Sequence, residues 1–387
     1  MFPKTGSFLT CAVLSGAFLC SQSAGSQTAP SAFVYVTSNY SGSNNRVVGF
    51  VSNASGQLSQ ISGSPWGANL GYMAVNGKFL FGSDNIATDN GRNIFSYLIE
   101  SNGALKYVGA TNIQNKGTGN SCNDGSFLTL DHTGQFLYQL VLNSNGCNDV
   151  PAYQSWSVNQ TTGLLNYLAT SGPDRYMFPP LNLSANNLFA YAAGCNLTIT
   201  SFGAFKKQSN GALQLNNIQY NFPTPPPTTS YWTECIGYST PDPTNHMAVD
   251  ITYPSGENDR IATYAINTTN GNLTTSSTYS NMHATQVAHV RWTSMAPSGK
   301  LLAIAGDKGL QLFNFNPSGQ ATPHTGLLTS APIDMVQWDN KNHLYAISNA
   351  DSRIYVFAYH PTTGGVSSVS GSPFVVAHPV ALTVQPK

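Results

Sequence analysis

An all-β ring of seven four-stranded blades, a seven-bladed β-propeller, is the fold this sequence predicts. Three observations carry the prediction: a composition suited to strands and turns, one unit repeated seven times, and an incomplete unit at each end. Of the 387 residues only 8% are charged, where about a quarter is usual. Long surface helices need charged residues for their wet faces, and this chain has few. It has instead 35 Gly, 22 Pro, 19 Tyr and 19 Phe, residues of short strands and tight turns. Sixteen acidic side chains balance sixteen basic ones. No block of positive charge marks a surface for nucleic acid or an anionic membrane.

The strand of each unit recurs as FVYVTS (Phe33 to Ser38), FLFGSD (Phe79 to Asp84), FLYQLV (Phe136 to Val141) and LFAYAA (Leu188 to Ala193). HMAVDI (His246 to Ile251), LLAIAG (Leu301 to Gly306) and HLYAIS (His343 to Ser348) complete the set. Turns follow at a regular interval: SGQL from Ser55, NGAL from Asn102, TGLL from Thr162, NGAL from Asn210, NGNL from Asn270, SGQA from Ser318 and GGV from Gly364. Asn-Gly and Ser-Gly supply the positive φ of a tight hairpin, and the apolar residue after them starts another strand. Repeats of roughly 50 residues, each with room for four strands, describe propeller blades. The segment GSPW at Gly63 leads into a further strand, whereas GSPF at Gly371 leads to the chain end. Pro379 to Val384 is therefore expected as the innermost strand of the blade that begins at Phe33, which closes the ring and removes an exposed edge.

The N-terminus reads as a secretion signal. Lys4 precedes a short apolar run from Phe8 to Cys20, followed by small residues suited to cleavage. The expected division is a signal peptide over 1–25, a short linker over 26–32 and one propeller domain over 33–387, secreted or periplasmic. The run is too short to span a bilayer. Cleavage leaves Cys122, Cys147, Cys195 and Cys235, an even count that favours disulfides over a metal. Cys122 with Cys147 would staple one blade and Cys195 with Cys235 would tie two, but the other pairings stay open.

The GSP-aromatic segments, the Gly-Lys entries at Gly77 and Gly299 and the TGxL-like turns resemble the lactonase family of seven-bladed propellers. That family holds 6-phosphogluconolactonase-like and muconate-lactonising proteins, and the resemblance runs from about Phe33 to Lys387. It implies a hydrolase that opens or closes a ring ester in a central pocket, using His, Arg and Glu. The family's Gly-Pro-Arg-His reads here Gly172-Pro173-Asp174-Arg175-Tyr176, its Asn-Glu reads Ala193-Gly194, and its Asn-Arg-Gly reads Gly306-Asp307-Lys308-Gly309.

In a propeller, the loops that enter inner strands and those after second strands share one face, and function sits on such loops. Charged residues expected there are Arg175, Glu234, Glu257, Asp259, His289 and Arg291. Hydrolysis of a lactone needs a base for water and a donor for the carbonyl oxygen. His289 or Glu234 is the candidate base, and Arg175 or Arg291 the candidate oxyanion or carboxylate holder. Period-two alternation puts His289 and Arg291 on one side of their strand. Glu257 and Asp259 are candidate ligand contacts, as are Trp66, Trp232 and Trp292 for stacking, with Trp232 best placed in its Pro-rich loop. His378 is a lesser pocket candidate. The structural alternative is that these charges are ion pairs that fix neighbouring blades.

No serine-hydrolase elbow, zinc-protease, nucleotide or dinucleotide motif is present, and Asp84 to Gly91 is a thin basis for calcium. No metal or cofactor is expected. The expected ligand is a small lactone or a carbohydrate bound to a monomer, without nucleic acid and without a membrane span. A non-catalytic propeller binding a carbohydrate, peptide or envelope partner is the alternative.

Overall fold

The computed structural model describes residues 29–39, 45–84, 92–114, 124–142, 152–171, 178–196, 199–219, 223, 235–253, 257–316 and 319–387. The second strands of the repeats carry apolar or small residues on both sides. Accordingly Phe79–Asp84, Leu301–Gly306 and His343–Ser348 are buried at every position. The fourth strand of a repeat, such as Leu105–Asn112, is half-buried or exposed at every position. This gradient orders each sheet from a dry interior to an exposed rim.

The described strands form seven antiparallel sheets, called blades 1 to 7 from the one containing Ala32–Asn39. Their first strands are Pro379–Pro386, Leu70–Val75, Asp124–Leu130, Phe178–Leu183, Cys235–Pro241, Val290–Met295 and Met335–Trp338. Each first strand touches that of the next blade, and the last touches Pro379–Pro386, so they form the inner wall of a closed ring. The closure is the one expected from the ends of the chain. Ala32 pairs with Pro386 and the ladder runs on to Ser38 with Pro379. Across the seam from blade 7, the Tyr345 hydroxyl donates to Ser52 Oγ at 2.7 Å.

The repeated glycine turns have a packing reason besides their hairpin geometry. Gly103 has a φ of +86°, and a Cβ there would stand 2.7 Å from the Phe33 ring of the preceding blade. Gly163 meets Phe79 in the same way, Gly211 meets Phe136, and Gly271 meets Phe189. Two residues after three of those phenylalanines stands a tyrosine whose hydroxyl donates to the same glycine's carbonyl. Tyr35 reaches Gly103 at 2.8 Å, Tyr138 reaches Gly211 at 2.9 Å and Tyr191 reaches Gly271 at 2.8 Å. Each bond contributes about 1 kcal/mol and fixes the rotation of one blade on the next.

The segments that resembled each other in sequence occupy equivalent places. Trp66 of GSPW bridges to Val47 on the third strand of blade 1. Phe374 of GSPF pairs with Ile354 on the third strand of blade 7. No helix of the described residues is long and apolar enough to cross a membrane.

Candidate functional site

The strand order sends the loops leading into inner strands, and those between second and third strands, to one end of the ring. On the inner wall near that end the ladder between first and second strands breaks register in six blades. The breaks fall between Leu70 and Met73, Gly125 and Leu128, Phe178 and Asn182, Ile236 and Ser239, and Val290 and Trp292, and in blade 1 opposite Thr37 and Ser38. A bulge inserts a residue that the partner strand does not match and re-aims its side chain.

In four blades an aromatic residue stands at this break: Tyr72, Phe127 and Tyr238 are unmatched, and Trp292 pairs with Ala305 directly after the unmatched Arg291. Tyr72 stacks on Phe127 with centroids 3.6 Å apart and planes 25° apart. Phe127 lies 6.0 Å from Trp292 at 19°, and Trp292 lies 5.6 Å from Tyr238. Blades 2 and 3 thus meet blades 5 and 6 across the axis, and all four rings are half-buried. Burial, and then the neighbouring Tyr238, pushes the Tyr72 hydroxyl up to about 12. Burial also raises Tyr238, with Asp250 adding to the rise and Arg291 opposing it. Both hydroxyls are therefore protonated donors at neutral pH.

Three ionisable side chains follow on the same elements. Asp259 is fully buried and accepts the Val290 backbone N–H at 2.6 Å, which anchors the start of the blade 6 inner strand. Its other carboxylate oxygen lies 3.4 Å from His289 Nδ1. The His289 side chain is 56% exposed, so one edge of the ring faces the buried acid and the rest faces solvent. Burial pushes Asp259 up to about 6, against the Val290 N–H and the imidazole, which favour its charged form.

Arg291 points elsewhere. Its Nε donates to Asp307 at 2.6 Å and NH1 donates to Asp334 at 2.5 Å. Partial burial works against its charge, but the two carboxylates outweigh it and raise the guanidinium further. Asp334 also accepts the Asn349 N–H at 2.7 Å, so Arg291 ties blade 6 to blade 7. His289 lies just before the strand Val290–Met295 and Arg291 at its break in register, and the two side chains meet different carboxylates.

Asp250 was not singled out by sequence. Its side chain is 1% exposed, and neither carboxyl oxygen has a hydrogen-bond partner among the described residues. Gly237, in the bulge opposite, leaves it room, since a Cβ there would collide with Oδ2. Burial first, and then Asp259, hold its carboxyl well above the usual carboxylate range. The register places Thr37, Ser83, Leu140, Ala193, Ala305 and Ile347 at the same level of the other blades. Aligning the seven repeats exposes this one acid.

Of the other expected residues, Glu257 is exposed and accepts the Tyr279 hydroxyl at 2.6 Å. Asp259, expected as a ligand contact, is buried behind His289. Trp66 packs near Tyr35, 6.4 Å between centroids, in the seam of blades 1 and 2. His378 is exposed at the entry to the closing strand. Arg175, Glu234, Trp232, Cys122 and Cys147 lie outside the described residues, as does the Cys195 side chain. Cys235 heads the inner strand of blade 5. Asp84 accepts from Asn93 Nδ2 at 2.6 Å. No group of three potential metal ligands is found among the described residues.

No protein-family model matches the chain, and no curated protein matches it in sequence. Solved structures do match its shape. A putative 6-phosphogluconolactonase from Bacteroides fragilis superposes with a TM-score of 0.65 at 16% identity, over 93% of this chain and 99% of that one. The periplasmic gluconolactonase PpgL of Pseudomonas aeruginosa gives 0.67 at 14% identity, over 91% and 98%. A protein from Lactobacillus plantarum gives 0.65 at 14%, over 92% and 99%. At these identities the likeness is one of fold: the chain is a seven-bladed propeller, as those structures are.

Proposed function

We propose that this propeller is an exported hydrolase of a small lactone, and that His289, held by Asp259, is its general base. The observation that carries this reading is the pair itself, a buried carboxylate behind a solvent-facing imidazole at the mouth of the ring. Ionised Asp259 accepts from Nδ1–H and leaves Nε2 free to take a proton from water. The resulting hydroxide adds to the lactone carbonyl, and the carbonyl π electrons move to oxygen. When the oxyanion collapses, the ring C–O bond breaks, and the leaving alkoxide takes the proton from Nε2 to give a hydroxy acid. Two of the five Arg291 N–H donors are held by carboxylates, and the others, with the Tyr238 hydroxyl, are candidate oxyanion donors. Arg175 and Glu234 keep the places proposed for them from sequence, as a second cation and an alternative base.

Two observations support export. Cys235 is disulfide-bonded, which suits an oxidising compartment, and one structural neighbour is named as periplasmic. Non-catalytic binding of a carbohydrate, peptide or envelope partner is the second reading. It is favoured by Arg291, whose charge is already matched by two carboxylates.

The test incubates purified mature protein with a panel of lactones and follows acid release with a pH indicator. His289→Ala should cut the rate by roughly a hundredfold or more. Background rates across the panel would remove the enzyme reading. Wild-type rates in His289→Ala would remove His289 from the chemistry.

A further inference from the structure

We propose that the aromatic layer of Tyr72, Phe127, Tyr238 and Trp292 is the floor of the ligand site, and that its ligand is an uncharged lactone carrying a flat unsaturated ring. This rests on the hydrolase reading for the word lactone, but not for the binding surface.

The first ground is how the layer is built. Four inner strands place an aromatic residue at the same bulge level, and the partner strands opposite supply Ser83, Leu140, Asp250 and Ala305. Ordinary filling of a hole needs bulk but not parallel planes. Here Tyr72, Phe127 and Trp292 lie within 25° of their stacking partners across three blades. The rings cover one another where they stack, and the outer face of an end ring of the stack is what a planar ligand ring would meet. The floor also stops a ligand from passing through the ring, so the reacting bond stays at the level of His289.

The second ground is charge. The acids next to the layer are Asp250, Asp259, Asp307 and Asp334. Asp250 and Arg291 act on Tyr238, and Asp307 acts on Asp259. Facing them are Arg291, already bridging Asp307 and Asp334, the His289 ring and the exposed Lys308 on the blade 6 turn. A substrate phosphate or carboxylate on the remaining Arg291 donors would share that cation with Asp307 and Asp334 and sit beside both, where like charges repel. A neutral ring avoids that penalty.

The experiment measures binding and turnover separately on the full mature chain. Binding is read by saturation-transfer NMR and calorimetry with 3,4-dihydro-2-quinolinone, an uncharged lactam that resists hydrolysis, and with its carboxylate derivative. Turnover is read with dihydrocoumarin, glucono-1,5-lactone and a 6-phosphorylated lactone. The lactam should bind, its carboxylate at least tenfold more weakly, and Trp292→Leu should weaken the lactam about tenfold with unchanged circular dichroism. Saturation passing from protein aromatic protons to the lactam in the wild type tests the floor even if that variant does not fold. An unbound lactam, equal affinity in folded Trp292→Leu, or tighter binding of the anion overturns the proposal. Lactam binding without any turnover would sink the hydrolase and leave the floor; turnover of the phosphorylated lactone alone would do the reverse.

Discussion

Asp131 and Asp259 are buried carboxylates at opposite ends of the same ring, and their surroundings push them in opposite directions. Asp131 lies on the short-turn face. It accepts from Lys207 Nζ at 2.8 Å, Asn187 at 2.9 Å, Thr133 at 2.7 Å and the backbone N–H groups of Gln135 and Phe136. Burial alone would raise it, but these donors outweigh burial and lower it to about 2. Asp259 lies on the loop face with one backbone donor and an imidazole, and burial lifts it to about 6. The number of donors around a buried carboxylate decides its charge. One end of the molecule spends its acid on holding blades together, and the other keeps an under-supplied acid behind a histidine.

The largest effect expected from this contrast is on activity. Asp259→Asn keeps an oxygen for the Val290 N–H but removes the charge behind His289. Hydrolysis should fall by roughly a hundredfold, mostly in kcat, with KM little changed, in steady-state assays of a hydrolysed lactone. A proportionate rise in KM instead would make Asp259 a ligand contact. In the wild type the rate should climb as pH rises through about 6, where Asp259 loses its proton, and Asp259→Asn should lack that limb.

At the other end the effect is on stability. Lys207→Met leaves the Asp131 charge without its cation in a buried site, which costs about 3 kcal/mol, read as a lower urea midpoint with activity intact. A comparable loss from Asp259→Asn would erase the division between the faces.

Glycine sharpens the same contrast. Gly211→Ala forces both a positive φ of +89° and a Cβ into the Phe136 ring, so about 2–3 kcal/mol is expected. Gly77→Ala has a φ of +93° but nothing within 4 Å of the new atom, so only the conformational cost of about 1 kcal/mol remains. Equal losses in thermal unfolding would show that packing between blades is not what the turns serve.

The smallest effect is the shape of the pH–stability curve. Asp131, lowered in the fold, contributes stability that is present above pH 4 and lost as pH falls towards 2. Asp259, raised in the fold, does the opposite: the native state holds its proton longer, so stability declines as pH rises from about 4 to 6. Lys207→Met should flatten the first slope and Asp259→Asn the second in urea titrations across pH.

The repeats were legible because each glycine turn and each aromatic strand serves its own blade and the next, so the pattern had to recur. The resemblance between GSPW and GSPF anticipated the closing strand for the same reason. His289, Arg291 and Asp259 lie on the loop face that the topology gave them, yet their partners were not legible. Alternation put His289 and Arg291 together, and their side chains meet different carboxylates. Asp250 read as one more position in an apolar strand, and only comparison with its six counterparts sets it apart.

The linear order of residues thus determined the number of blades, the side on which loops gather and the way the ring shuts. Those depend on turn chemistry and local apolar pattern, which each repeat carries within itself. Only the folded molecule decided that four aromatic rings meet on the axis, that Arg291 is shared by two acids and that Asp259 stands behind His289. Those depend on bulges and on contacts between blades more than 40 residues apart in several cases, such as Arg291 with Asp334 (43 apart), and no local pattern records which distant side chain will arrive.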